Sequence, residues 1–249
     1  MRTRRKHDWE GITDNARLPA GISVCLLAAC FMARQATAAD DYQRVNFKSE
    51  HVSSEARHVA DWVVHAGDNI AGDNRAGGNP VDGKLRLPFL IVDKADAKVF
   101  VFDAQGRLLG AAPALLGLAV GDTSVAGIGD RKLSSIPPAQ RTTPAGRFVA
   151  FMGMATRKED VLWVDYDGAV AIHRVVNNIK DRRLQRLATP TPLDNRISFG
   201  CINVPVKFFE NVLRATFRGT RGIAYVLPET RPAREVFASY DVEEYVGRQ

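Results

Sequence analysis

From Leu85 to Leu227 the chain is divided into short apolar runs separated by turn signals, and this pattern constrains the fold more than any other feature. Phe89-Leu90-Ile91-Val92 and Lys98-Val99-Phe100-Val101-Phe102 are rich in β-branched and aromatic residues, which suit a pleated, half-buried surface. Asp103-Ala104-Gln105-Gly106 follows as a hairpin turn. Apolar character resumes over 107–118, and a loop rich in Gly, Ser and Pro covers 121–140. Residues 147–152 and 161–166 read as further strands, Asp167-Gly168 as a tight turn, and 169–173 as a strand ending on His173. Ile223-Ala224-Tyr225-Val226-Leu227 closes the series. The expected fold is therefore mostly β. One helix is expected beyond Cys201. Pro205 suits a first helical position, Val206, Phe209, Leu213 and Phe217 form an apolar stripe, and Gly219 is a stop.

Before Leu85 the chain changes character. Residues 40–84 are polar, with a candidate short helix around 53–65 and a Gly/Asn/Pro cluster, and read as a linker or peripheral wrap. Residues 85–228 form the expected catalytic domain, and 229–249 a charged tail. Residues 1–39 read as an export signal: Arg2, Arg4, Arg5 and Lys6, then a small-apolar run, then Ala36-Thr37-Ala38 as a cleavage site. Leu27-Ala28-Ala29-Cys30 also resembles a lipobox, which would leave a lipidated Cys30. Either route predicts an exported protein of the periplasm or cell envelope.

Charge points to no nucleic-acid function. The formal charge is +6, but six of the 34 basic and three of the 28 acidic residues lie within 1–39, so the remainder carries +3. It shows no basic run interleaved with aromatics. A mildly basic surface still suits a polyanionic partner such as a cell wall.

Signal cleavage would leave Cys201 as the one cysteine, and an odd cysteine in an exported chain points to a reactive thiol. Its surroundings are Arg196-Ile197-Ser198-Phe199-Gly200-Cys201-Ile202-Asn203. The glycine admits close approach to the backbone. A helix start just beyond the cysteine and a paired histidine would favour the thiolate, and N–H groups of Gly200 and Cys201 would form an oxyanion hole. Of the histidines beyond the signal, His51, His58 and His65 lie in the polar N-terminal segment, whereas His173 ends a strand of the β domain. One Cys and one His leave a metal ligand set incomplete, so no metal and no cofactor are expected.

These residues resemble the L,D-transpeptidase catalytic domain of bacterial cell-wall enzymes. Ile172-His173 matches the family's strand-closing histidine, Ser198-Phe199-Gly200-Cys201-Ile202-Asn203 its nucleophile segment, and Thr143-Pro144-Ala145-Gly146-Arg147-Phe148 its upstream turn. The similarity spans roughly 85–227 and implies a curved mixed sheet or sandwich. It implies that Cys201 is the nucleophile and His173 the general base, oriented by the carbonyl of Arg174. Gly200 and Ser198 would serve the oxyanion and positioning, while Arg196, Phe199 and Asn203 would contact substrate. The implied reaction is a thioester formed with a peptidoglycan stem peptide, then transfer to an amine of a second stem peptide or of an outer-membrane protein. A hydrolase using the same pair, whether amidase or L,D-carboxypeptidase, and a silent wall-binding module are the alternatives. Two features depart from the family: Phe199 stands where histidine is usual, and the basic stretch 174–195 lengthens the gap between His173 and Cys201.

Overall fold

Alternation along the apolar runs builds one sheet with two different faces. The computed structural model describes residues 44–70, 79–81, 84–156 and 158–248. Residues 1–39, expected to be an export signal, lie outside the described residues, with Cys25 and Cys30. A small hairpin, β1 (Asn79–Val81) and β2 (Lys84–Arg86), precedes the main sheet. The central strands are β3 (Phe89–Asp93), β4 (Lys98–Phe102), β5 (Leu108–Pro113), β7 (Gly146–Met154), β8 (Asp160–Asp165), β9 (Val170–Arg174), β11 (Ile202–Val204) and β12 (Arg221–Val226). They form an eight-stranded sheet in the order β11-β9-β8-β7-β12-β3-β4-β5. The β11/β9 and β12/β3 pairs are parallel and the others antiparallel, so the sheet is mixed.

The sheet curls until its edges meet. Just past β5, Leu115 N–H donates to Asn203 O at 2.8 Å, and Asn203 N–H donates back to Leu115 O at 2.9 Å. Beside this seam, β6 (Leu116–Gly117) runs parallel to β10 (Arg196–Ser198). The seam thus pairs part of the β11 edge with the residues just past β5, and the sheet is nearly closed.

Successive side chains point to opposite faces, and the core divides accordingly. Phe89, Ile91, Phe100, Phe102, Ile223 and Tyr225 face one way. Leu90, Val92, Val99, Val101, Ala224 and Val226 face the other, against Phe208, Phe209, Leu213 and Phe217 of the segment after Cys201. That segment runs as α-helix Val206–Phe208, a π-helical turn Phe209–Leu213, and α-helix Arg214–Phe217. Pro205 caps it instead of occupying its first turn, and Val206 is 48% exposed, so Phe208 takes the place in the stripe that periodicity assigned to Val206. The π turn shifts the phase of the helix, which a fixed 3.6-residue period does not anticipate.

Composition suggested boundaries at 84 and 228, but packing runs across both. The helix Ser54–Ala66, capped by Ser53 Oγ, buries Val59, Ala60, Trp62 and Val63 against the first face. Ala233 and Phe237 of the tail join the same cluster. The polar letters of the helix line its outer side, so its average composition disguises an amphipathic layer. This cover lies over β12, β3 and β4, while Val149 on the same face of β7 is 46% exposed.

Candidate active site

The site grows from the pairing of β9 with β11. Ile202 lies opposite Ile172, and Asn203 opposite His173. Paired residues share a face, so His173, Ala171 and Asn203 lie on the first face, on the part that the N-terminal helix leaves uncovered. Cys201 immediately precedes β11 at the level of Ala171, and its Sγ stands 3.5 Å from Ala169 O. One strand across and two residues along places the Cα atoms of Cys201 and His173 roughly 8 Å apart, within side-chain reach. Burial pushes the Cys201 thiol up, against a smaller lowering by the Ala171 N–H. The resting sulfur is therefore a protonated thiol.

His173 is shifted in the opposite direction. Burial holds its pKa below the ordinary histidine value, partly offset by the carboxylate of Glu159. Glu159 Oε1 lies 3.4 Å from His173 Nδ1. Glu159 was missed in the sequence, because Lys158-Glu159-Asp160 between two strands looks like an ordinary solvated turn. The β8/β9 register brings it alongside His173, and only that register could have revealed it. The side chain of Arg174 points away. It binds Glu210 at 2.6 Å and Asp160 at 2.9 Å, and stacks over Phe209 at 4.0 Å.

The segment before the nucleophile is fixed by its own polar groups. Ser198 Oγ accepts from Gly200 N–H at 3.0 Å and donates to Cys201 O at 2.5 Å. Asn203 Nδ2 also donates to Cys201 O, at 3.3 Å. Gly200 has φ +129°, and a Cβ there would meet Thr142 O at 2.8 Å, so no other residue fits without strain. Thr143, the first residue of the conspicuous Thr-Pro turn, is the clamp from the other side. Its hydroxyl donates to Gly200 O at 2.7 Å and accepts from Gly117 N–H at 2.9 Å.

Two of the expected substrate-binding residues lie elsewhere in the network. Arg196 is 9% exposed, and its guanidinium pairs with Glu229 and donates to Lys94 O at 2.8 Å. Asn203 is turned to the Cys201 carbonyl and lies 3.5 Å from Arg183 of the 174–195 stretch. Phe199 carries the Arg141 guanidinium on its ring at 3.9 Å, so a cation stands at the family's histidine position although the ring itself is apolar. The helix start near Cys201 is also displaced. The three residues of β11 intervene, and a helix dipole fades within its first turn.

No family model matches the chain, and no curated protein matches it. Solved structures do. The helical cell shape determining protein Pgp2 from Campylobacter jejuni is 14% identical with a TM-score of 0.40, over 75% of this chain and 59% of that one. An L,D-transpeptidase C442S mutant from Enterococcus faecium is 16% identical with a TM-score of 0.33, over 61% and 54%. The L,D-transpeptidase Yku from Stackebrandtia nassauensis is 12% identical with a TM-score of 0.37, over 78% and 87%. The chain thus spans about three-fifths of the length of Pgp2.

Proposed function

We propose that this protein is an exported L,D-transpeptidase that acylates Cys201 with a peptidoglycan stem peptide and passes the acyl group to an amine. The observation that carries the reading is the placement of Cys201 and His173 on one face of two adjacent strands, with Glu159 behind the histidine. A thiol raised by burial and a histidine lowered by burial make a neutral pair. Such a pair reacts by proton transfer during attack.

In this mechanism Sγ attacks the carbonyl between the diamino acid and the terminal D-Ala, and its proton moves to His173 Nε2. Glu159 stabilises the imidazolium that results. The Cys201 N–H faces the developing oxyanion, since Ser198 already holds the Gly200 N–H. Collapse breaks the C–N bond, and the departing D-Ala amine takes the proton from His173. The acceptor amine then yields a proton to His173, attacks the thioester and expels the sulfur, which regains the proton. Residues 1–39 serve as the export signal that delivers the enzyme to the wall.

The test is mass spectrometry of products from a disaccharide-tetrapeptide. Cross-linked dimer is expected from the wild type and unchanged substrate from Cys201→Ala. A carbapenem should add once to the wild type and not to the variant. Equal labelling of both proteins would overturn the assignment, and tripeptide without dimer would replace transfer by hydrolysis.

A further inference from the structure

The strand register extends the face of Cys201 to a group of aromatic rings that the acyl-transfer chemistry does not use. Ala171 pairs with Trp163, and Trp163 with Phe151, so both rings share the face of His173 and Cys201. Tyr166, at the turn beyond β8, closes the group. Its ring centroid is 5.1 Å from that of Trp163 and 6.0 Å from that of Phe151. The Tyr166 side chain is 64% exposed. Gly153 lies beside Trp163, where a Cβ would stand 2.7 Å from Cδ1 and 2.8 Å from Nε1. The missing side chain lets the indole lie down along the strand. Neither Trp163 Nε1 nor the Tyr166 hydroxyl has a hydrogen-bond partner among the described residues. A tyrosine and a tryptophan whose polar tips are free, on a sheet face that the described residues leave uncovered, are amphipathic groups suited to a ligand.

We propose that Phe151, Trp163 and Tyr166 form a stacking platform for the pyranose rings of the glycan strand that carries the stem peptide. Aromatic faces attract the C–H side of a pyranose, and the free indole N–H and phenol hydroxyl meet its hydroxyl or acetamido groups. The proposal rests on the transpeptidase reading for its substrate, and its geometry fits that substrate. Trp163 and Phe151 lie two and three strands from Cys201, or roughly 10–14 Å at the usual strand spacing. A stem bound by Cys201 at its third residue reaches its sugar across about 10 Å of extended chain. Three rings are too few to anchor a protein, whose interfaces cover about 800 Å² per partner. The rings lie in line with the nucleophile, as a substrate attached to a glycan requires.

The experiment compares a disaccharide-tetrapeptide with the free tetrapeptide. Tyr166→Ala, a change at an exposed ring, and Trp163→Ala should each lower kcat/KM on the disaccharide substrate about tenfold, mainly through KM. On the free tetrapeptide both variants should stay within about twofold. Equal losses on both substrates, or none on either, would overturn the platform. A second readout is independent of turnover. The peptide-free disaccharide should quench tryptophan fluorescence of Cys201→Ala saturably, and adding Tyr166→Ala should weaken that binding about tenfold. If neither substrate turns over but the saturable quench is present, the transpeptidase reading fails and the platform stands. If turnover is normal but no quench occurs, the platform fails alone.

Discussion

At the residue scale the site depends on where two protons rest. Burial raises the Cys201 thiol and lowers His173, so both groups rest neutral near pH 7. Glu159 opposes part of the burial effect on His173, because a carboxylate favours the imidazolium. Removing that charge should therefore lower the histidine pKa further. For Glu159→Gln the acidic limb of the kcat/KM profile is expected at lower pH than in the wild type. The plateau should fall by about tenfold or more, since the imidazolium of the transition state loses its counter-charge. A pH–rate profile of both proteins checks this. An unmoved limb would mean that Glu159 does not act on His173. Phe199 follows the same logic of local environment: its ring seats the Arg141 cation, so the missing histidine does not leave the segment without positive charge.

At the scale of elements, the helix Ser54–Ala66 is the informative case. Trp62 is 5% exposed and meets Tyr225 edge to face at 6.2 Å. Through that contact the helix braces β12, the strand between β7 and β3. A spacer would contribute little to stability, whereas a packed layer contributes a large share. Trp62→Ala is expected to cost about 3–5 kcal/mol, as large-to-small changes at buried aromatic positions do. Urea denaturation measures it, and a loss under about 1 kcal/mol would return the helix to the status of a wrap. Among the described residues no such layer covers the opposite half of the same face, where the proposed catalytic pair and the proposed aromatic platform lie.

For the whole molecule, the closure of the sheet matters most. The Leu115–Asn203 seam and the β6/β10 pair bring the nucleophile segment beside residues about 80 positions earlier in the chain. Behind the seam, Lys94 is 0% exposed and donates to Gly121 O at 2.6 Å, Asp122 at 2.8 Å and Thr143 O at 3.0 Å. Burial alone would raise Asp122. Lys94, the Thr230 hydroxyl and the Glu229 N–H outweigh it and hold the pKa at about 2. One ammonium thus ties the 121–145 loop, the start of the tail and, through Thr143, the backbone of Gly200. Lys94→Met would leave Asp122 buried without its cation. A loss of about 3–5 kcal/mol is expected, read from the denaturation midpoint. A change under about 1 kcal/mol would show that the carboxylates relax into solvent.

Much of this was legible in the letters. Short apolar runs such as Phe89-Leu90-Ile91-Val92, bounded by turn signals, are a local property and specified strands, and the helical stripe after Pro205 specified a helix, without any partner being known. The lone Cys201 behind a glycine, and a histidine closing a strand, were also visible, because chemistry demands those residue types. Tertiary structure alone decided the rest. Glu159 became a partner of His173 through the register of β8 on β9, which no neighbouring residue encodes. Arg196 and Asn203 look like ligand contacts in a line of text, yet the fold turns one toward Glu229 and the other toward the Cys201 carbonyl. The polar segment 44–66 became a core layer for the same reason. A helix buries one side only, so average polarity hides the stripe that packs. Sequence fixes what each residue can do; pairing across the sheet selects the groups that meet.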